Sequence, residues 1–93
     1  MPVTIHIPGP LRPFTDGHSE VALSAPAATV REALDVLGSL YPGIRDRVMT
    51  EQGAVREHIN IFVGNEDVRY TGGLNTPLPP AATISIVPAI SGG

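Results

Sequence analysis

The sequence contains neither cysteine nor lysine. Without cysteine, the 93-residue chain forms no disulfide and offers no thiolate for metal binding or nucleophilic catalysis. Because lysine is absent, all six positively charged side chains are arginines, and they form no basic run. The formal net charge is −3 at pH 7. This composition argues against nucleic acid as a partner, since binding to phosphates needs clustered positive charge.

Long hydrophobic stretches are also missing. The chain starts without the positive region and following apolar stretch of a secretory leader, so no signal peptide is predicted. No apolar run approaches the roughly 20 residues that cross a bilayer. We therefore expect one small, soluble domain in the cytoplasm.

Two alternating segments near the amino terminus predict strands. In residues 3–7, every second side chain is apolar and would face a core, and residues 20–24 alternate in the same way. Asp16 and Gly17 form a turn-prone pair between them. The two strands are therefore predicted to form a hairpin with a long connection.

The strongest helical pattern follows. Thr29 and Glu32 have the spacing of a capping box, in which Glu32 would reach back to the Thr29 N–H. Apolar residues then recur at helical spacing over residues 30–40, and the sequence Pro42-Gly43 is expected to end the helix. A short further helical turn is predicted over residues 44–49.

The second half of the chain is predicted to be mostly strand and turn. Its segments are a strand over residues 58–63, a turn over 64–67, a short return strand over 68–70, a proline-rich connection over 71–80 and a last strand over 82–87. Strands gathered around one amphipathic helix predict an α+β fold, with one mixed sheet and the helix across one face. This is the β-grasp arrangement, in which the first and last strands lie parallel and side by side at the centre. Residues 1–88 would form the domain and residues 89–93 a flexible tail.

The tail ends on Gly92 and Gly93. Because glycine has no Cβ, these residues could pass through a narrow channel and present an unhindered carboxylate to an activating enzyme. The alternative is a frayed end without a function. Fully extended, the five residues of the tail reach roughly 17 Å, enough to enter a partner's active site. On this interpretation the reactive residue is Gly93, with Gly92 beside it. The partner would also contact Ala89, Ile90 and Ser91.

Phe62 is the main candidate for a docking residue on the body of the domain. The alternation in its strand points it away from the predicted core. With Val87 and Leu74 beside it, Phe62 would form an apolar docking spot on the open sheet face. Alternatively, Phe62 packs beneath the connection over residues 71–80.

No metal site is predicted, because the three histidines have no spacing typical of metal ligands. Glu66 and Asp67 are adjacent acids that could in principle act as a catalytic pair. Their position within turn-forming residues favours a solvated turn instead.

Several short motifs are shared with a known family. They are Ile7-Pro8, Leu11-Arg12-Pro13, Asn60-Ile61, Asn65-Glu66-Asp67-Val68-Arg69, Gly72-Gly73-Leu74 and the end Ile-Val-Pro-Ala-Ile-Ser-Gly-Gly. With them the chain resembles the ubiquitin-like sulfur carriers of bacteria, the MoaD/ThiS family, and within it the actinobacterial carriers used in cysteine biosynthesis. The family usually carries Gly-Asp where this chain has Ala81-Ala82, so that turn must be built differently.

The resemblance implies that the chain is a carrier and the substrate of other enzymes. An E1-like enzyme would use ATP to adenylate the carboxylate of Gly93, and a sulfur donor would convert the adenylate to a thiocarboxylate. A PLP-dependent cysteine synthase would accept the sulfur, and a zinc protease would release the product. The carrier itself would bind no cofactor.

Other functions remain open at this point. The chain could be the small subunit of molybdopterin synthase or a thiazole sulfur carrier. It could also be a ubiquitin-like modifier that is joined to lysines of other proteins. A fourth alternative is a passive interaction domain whose terminal glycines are incidental.

Overall fold

A computed structural model describes residues 2–88. Within this range the chain forms five strands, two α-helices and three 3-10 helices. The strands are β1 (Thr4–His6), β2 (Glu20–Ala22), β3 (Ile59–Val63), β4 (Glu66–Asp67) and β5 (Thr83–Pro88). The α-helices are α1 (Val30–Leu40) and α2 (Pro42–Val48), and the 3-10 helices cover Gly9–Thr15, Val68–Tyr70 and Gly73–Asn75.

The five strands form one mixed sheet in the order β2-β1-β5-β3-β4. Strands β1 and β5 are parallel neighbours, with Ile5 opposite Ile84. The other neighbouring strands run antiparallel. The prediction that the first and last strands lie together at the centre of a β-grasp sheet is confirmed.

The core lies between the sheet and α1. Alternate residues of the central strands, including Ile5, Ile61 and Ile84, are almost completely buried. Helix α1 covers them with its apolar face, to which Leu34 and Leu37 belong. Burying one such side chain contributes about 1.5–3 kcal/mol to stability.

The amino terminus of α1 is held by reciprocal capping. Thr29 Oγ1 accepts a hydrogen bond from the Glu32 N–H at 3.3 Å. Glu32 Oε1 accepts from the Ala28 N–H at 3.0 Å, one residue before the group that the pattern predicted. The cap is also tied to the following connection, because the Leu78 N–H donates to the Ala28 carbonyl. The predicted bounds of α1 are confirmed.

Helix α2 begins earlier than the sequence pattern predicted. It starts at Pro42, which occupies the first helical turn, rather than at Ile44. Proline fits that position because its missing N–H has no partner there in any helix. The same Pro-Gly pair therefore ends α1 and begins α2.

The predicted return strand over residues 68–70 is wrong. Those residues form a 3-10 helix, and β4 is the pair Glu66–Asp67 placed earlier in the chain. The Asp67 Oδ1 accepts from the Arg69 N–H at 2.9 Å, which caps the 3-10 helix and ends the strand. Val68 is buried in the core, so the turn of the chain is anchored there.

The turn before β5 is built without the family's glycine. Ala81 adopts a φ of 60°, in the left-handed region that favours glycine. This is the position at which the resemblance expected a glycine. The alanine thus occupies a backbone conformation that favours glycine, at some cost in strain.

The connection between β1 and β2 is also more regular than expected. Residues Gly9–Thr15 form a 3-10 helix whose Thr15 is completely buried. Thr15 Oγ1 donates to the His18 carbonyl at 2.9 Å, which closes the segment. No helix among residues 2–88 is long and apolar enough to cross a bilayer.

Candidate functional site

The sheet has one face that α1 does not cover, which we call the outer face. Its residues alternate with the core residues along each strand. They are Thr4, His6, Glu20, Ala22, Asn60, Phe62, Asp67, Thr83, Ser85 and Val87. One row crosses all five strands, because Glu20, His6, Ser85, Phe62 and Asp67 are successive partners in register.

The structure places Phe62 on the outer face. Its side chain is half-buried and does not belong to the core cluster. Val87 is 41 % exposed, and it lies two residues along β5 from Ser85, the partner of Phe62. Such diagonal neighbours lie about 7–8 Å apart, within reach of an aromatic ring. Phe62 and Val87 therefore share the outer face near Pro88, and their predicted role in docking stays a prediction.

Leu74 does not belong to this spot, which corrects the prediction. It lies in the 3-10 helix Gly73–Asn75, half-buried and packed against the core. That 3-10 helix contacts α1, which covers the opposite face of the sheet, and the 3-10 helix Val68–Tyr70. Leu78 of the same connection also packs against the core. Phe62 does not belong to that cluster. The two leucines, and not Phe62, pack against the core.

The last described residue, Pro88, lies at the end of the central strand β5. It is paired with Ile59 at the start of β3. Ala89, Ile90, Ser91, Gly92 and Gly93 lie outside the described residues, and their predicted roles stay predictions.

Across β3 from Pro88 lies a groove that sequence reasoning missed, which we call the arginine groove. Its volume is about 400 Å³. It is lined by Arg31, Arg56 and Arg69 and has apolar walls that include Val55 and Leu74. The linear sequence hides this cluster, because its arginines come from α1, the loop before β3 and the 3-10 helix after β4. In the sequence, only the shared motif Asn65-Glu66-Asp67-Val68-Arg69 pointed to a residue of this groove.

Two of these arginines are positioned by hydrogen bonds. One guanidinium nitrogen of Arg69 donates to Asn60 Oδ1 at 2.7 Å. The Arg56 Nε donates to the Asp46 carbonyl at 2.6 Å. The Arg69 bond joins two residues that line the groove, whereas the Arg56 bond ties its guanidinium to α2, outside the groove lining. Each guanidinium carries five N–H groups, so each has further donors.

The remaining polar candidates have structural roles. His6 Nε2 lies 3.1 Å from Glu20 Oε1, across the first strand pair. Asp67 caps a 3-10 helix, and neighbouring Glu66 lies exposed in β4. Within residues 2–88, no three His, Asp or Glu side chains lie together in a group that could hold a metal ion.

The fold and the exposed end of the central strand define a class of protein. A five-stranded mixed sheet with one main helix across it, and a chain that leaves from the central strand, is the β-grasp fold of ubiquitin-like proteins. The chain belongs to the ThiS family, whose profile matches residues 5–93.

Similar proteins agree with this assignment. The chain is 39% identical to the sulfur carrier protein CysO of Mycobacterium tuberculosis, over the full length of both. It superposes on a chain of the Amycolatopsis orientalis BexX/CysO complex with a TM-score of 0.87 and 40% identity, covering 98% of this chain and 99% of that one. It is also 32% identical to small archaeal modifier protein 3 of Haloferax volcanii, over 71% of each chain. The chain is thus a homologue of sulfur carriers, which are small carrier proteins rather than catalysts.

Proposed function

We propose that this chain carries sulfur as a thiocarboxylate on Gly93. The observation that carries the proposal is the family match, which runs through the Gly92-Gly93 end to the last residue. The fold supports it, because the described chain ends on the central strand, on which Val87 lies two residues from the register partner of Phe62. The absence of cysteine supports it as well, since the terminal carboxylate is then the place where sulfur could be attached.

The chemistry needs an activating partner. A carboxylate is a poor electrophile, because oxide is not a leaving group. In the proposed step, a carboxylate oxygen of Gly93 attacks the α-phosphorus of ATP and pyrophosphate leaves, which an E1-like enzyme catalyses. A hydrosulfide donor then attacks the acyl carbon, AMP leaves, and the C–S bond forms. ATP belongs to the partner, and the carrier holds no cofactor.

The same partner would hold the tail during both steps. A carboxylate that is fixed beside the nucleotide reacts as if in an intramolecular reaction, and this is the main contribution of a docking surface to the rate. The folded domain of residues 1–88 acts as a handle that the enzyme binds. The proposed site of these reactions is the cytoplasm.

We propose cysteine as the product that receives the sulfur. The support is the similarity to CysO over the whole chain, and the resemblance of the motifs to the cysteine branch of the family. The acceptor would be a PLP-dependent cysteine synthase, with a zinc protease to release the product. The CysO relative that is bound to BexX supports the expectation that a second protein docks on this fold.

A protein modifier is the second candidate function. It is favoured by the similarity to an archaeal modifier protein. In that function the activated Gly93 would be attacked by a lysine amine of a target, and an isopeptide bond would form. The two functions share the activation step and differ in the nucleophile that follows.

Intact-mass spectrometry tests the proposal. The chain is incubated with the adenylating enzyme of the same organism, MgATP and a sulfide source. We expect a mass gain equal to the replacement of one oxygen by sulfur, located at Gly93 by fragmentation. A sample without ATP and a chain without Gly93 are the controls, and both should keep their mass. Isopeptide-linked products with target proteins would favour the modifier, whereas an unchanged terminus would contradict both functions.

A further inference from the structure

The arginine groove has an excess of positive charge on a protein that is otherwise acidic. Three arginines line it, together with the acidic residues Glu57 and Asp67. Three positive charges minus two negative ones leave one positive charge, whereas the whole chain carries −3. One oxygen of Asp67 is already used, because it accepts from the Arg69 N–H. The groove is therefore a local site of attraction for an anion.

The groove arginines have no carboxylate partner in the described part of the chain. The two ion pairs found among residues 2–88 join His6 to Glu20 and Arg45 to Asp35. A further arginine, Arg47, lies over the ring of Phe14. Among residues 2–88, Arg31, Arg56 and Arg69 thus form no ion pair with a carboxylate, and all three line the groove.

The position of Arg31 is electrostatically unfavourable within its helix. It lies in the first turn of α1, where the helix dipole attracts negative charge and repels positive charge. Among the hydrogen bonds and ion pairs of residues 2–88, none involves its side chain. Its charge therefore gains no hydrogen-bonded or ionic partner among residues 2–88, and it adds to the positive charge of the groove.

The groove lies on the side of β3 opposite to β5, one strand away from the last described residue of the chain. Ile59 and Asn60 line it, and they are the register partners of Pro88 and Val87. Strand β3 pairs with β4 only through Phe62 and Val63, so beside residues 59–61 the groove takes the place of a neighbouring strand within the described sheet. A protein that binds β5 near Pro88 and extends across β3, one strand spacing of about 5 Å, would therefore reach the arginine groove.

We propose that the arginine groove is a second docking point for the enzyme that adenylates the tail. Its occupant is an acidic side chain of that enzyme, flanked by apolar residues that pack against Val55 and Leu74. This inference rests on the proposed function. Charge complementarity favours such a segment over nucleic acid, because the net charge of the whole chain repels phosphate backbones.

Glutamine substitutions test the groove. Arg31→Gln, Arg56→Gln and Arg69→Gln are compared with the wild type, and Arg45→Gln is the matched control because Arg45 pairs with Asp35 outside the groove. Carrier concentration is varied in an ATP–pyrophosphate exchange assay with the adenylating enzyme of the same organism. Binding without ATP is measured by calorimetry.

We expect each groove variant to raise KM and Kd about 3- to 10-fold with kcat unchanged, and the double variant Arg56→Gln/Arg69→Gln to raise them further. The differences should shrink at high salt. Arg31→Gln should not lower the melting temperature, which separates docking from a structural role.

Wild-type KM and Kd in all three variants would overturn the groove inference while leaving the proposed function intact. If the enzyme binds the carrier through the groove arginines but catalyses no ATP–pyrophosphate exchange, the groove inference is supported and the proposed function is contradicted. Failure of the enzyme to bind the wild type would overturn both.

Discussion

At the scale of single residues, Phe62 is expected to contribute more to the binding of a partner than to the stability of the fold. A large aromatic side chain that is half-buried outside the core contributes less to stability than a core aromatic does. Aromatic residues at the centre of an interface often contribute much of the binding energy. The same side chain should therefore matter more to a partner than to the fold.

Phe62→Ala is expected to weaken binding to the adenylating enzyme about tenfold, which corresponds to the ~1.4 kcal/mol of a modest hot spot. The free energy of unfolding should fall by less than about 1 kcal/mol, because no core cavity is made. Calorimetric titration and urea denaturation measure the two quantities. The core variant Leu37→Ala is the control, with an expected loss of stability of about 2–5 kcal/mol. A similar loss for Phe62→Ala would contradict the assignment to the outer face.

Ala81 is the residue at which this chain departs from the pattern of its family. Its φ of 60° places the Cβ close to the following carbonyl, a conformation that costs roughly 1–2 kcal/mol for residues other than glycine. Glycine removes that strain but loses more backbone entropy on folding, roughly 0.5–1 kcal/mol. The two effects oppose each other, and the strain is the larger.

We therefore expect Ala81→Gly to raise the free energy of unfolding by about 0.5–1 kcal/mol in urea denaturation. Ala82→Gly is the matched control one residue later. Ala82 is buried and has no positive φ, so the same substitution should lower stability there. The turn would be unstrained if both glycine variants proved less stable than the wild type.

At the scale of elements, the start of α1 joins two parts of the chain that are far apart in sequence. Thr29 caps the helix, and it also forms a bridge with Pro77 in the long connection. The Val30 N–H donates to the Thr76 carbonyl at 3.1 Å. The connection, which carries Leu74, is thereby fastened against the helix that forms one wall of the arginine groove.

Thr29→Ala should lower the free energy of unfolding by about 1 kcal/mol, because the Glu32 N–H loses its acceptor. Thr29→Ser keeps the hydroxyl and should recover most of that loss. Urea denaturation of the three proteins provides the comparison. Equal losses in both variants would show that the methyl group, and not the cap, stabilises the helix.

At the scale of the whole molecule, the folded body and the reactive end are separate in the proposed function. The described core residues lie between Val3 and Ile86. The residues proposed for the chemistry come after them, at the end of the strand in the middle of the sheet. A stable body can therefore be bound by several partners in turn while the same end reacts.

Deleting Gly92 and Gly93 should abolish the mass gain with ATP and sulfide but leave the fold unchanged. The melting temperature should shift by less than about 4 °C, the shift that ~1 kcal/mol produces in a domain of this size. Differential scanning calorimetry of the full and shortened chains measures it. A larger decrease would mean that the two glycines contribute to the fold, in conflict with their proposed role as a presented end.

Local patterns in the sequence were enough to predict the order of the main elements and the β-grasp fold. The bounds of α1 followed from its capping box and helical spacing, and the orientation of Phe62 followed from alternation along β3. These features depend on neighbours within a few residues, which is why they can be predicted locally. The Gly-Gly end likewise predicted the class of chemistry that the family match supports.

The tertiary structure decided which distant residues share a surface. It placed Leu74 against the core instead of beside Phe62, and it ended β4 at Asp67 because that side chain caps the next turn. It also gathered Arg31, Arg56 and Arg69 around one groove beside β3. Such neighbours are set by how the sheet, the helix and the long connection pack together, and no periodicity along the chain encodes that packing.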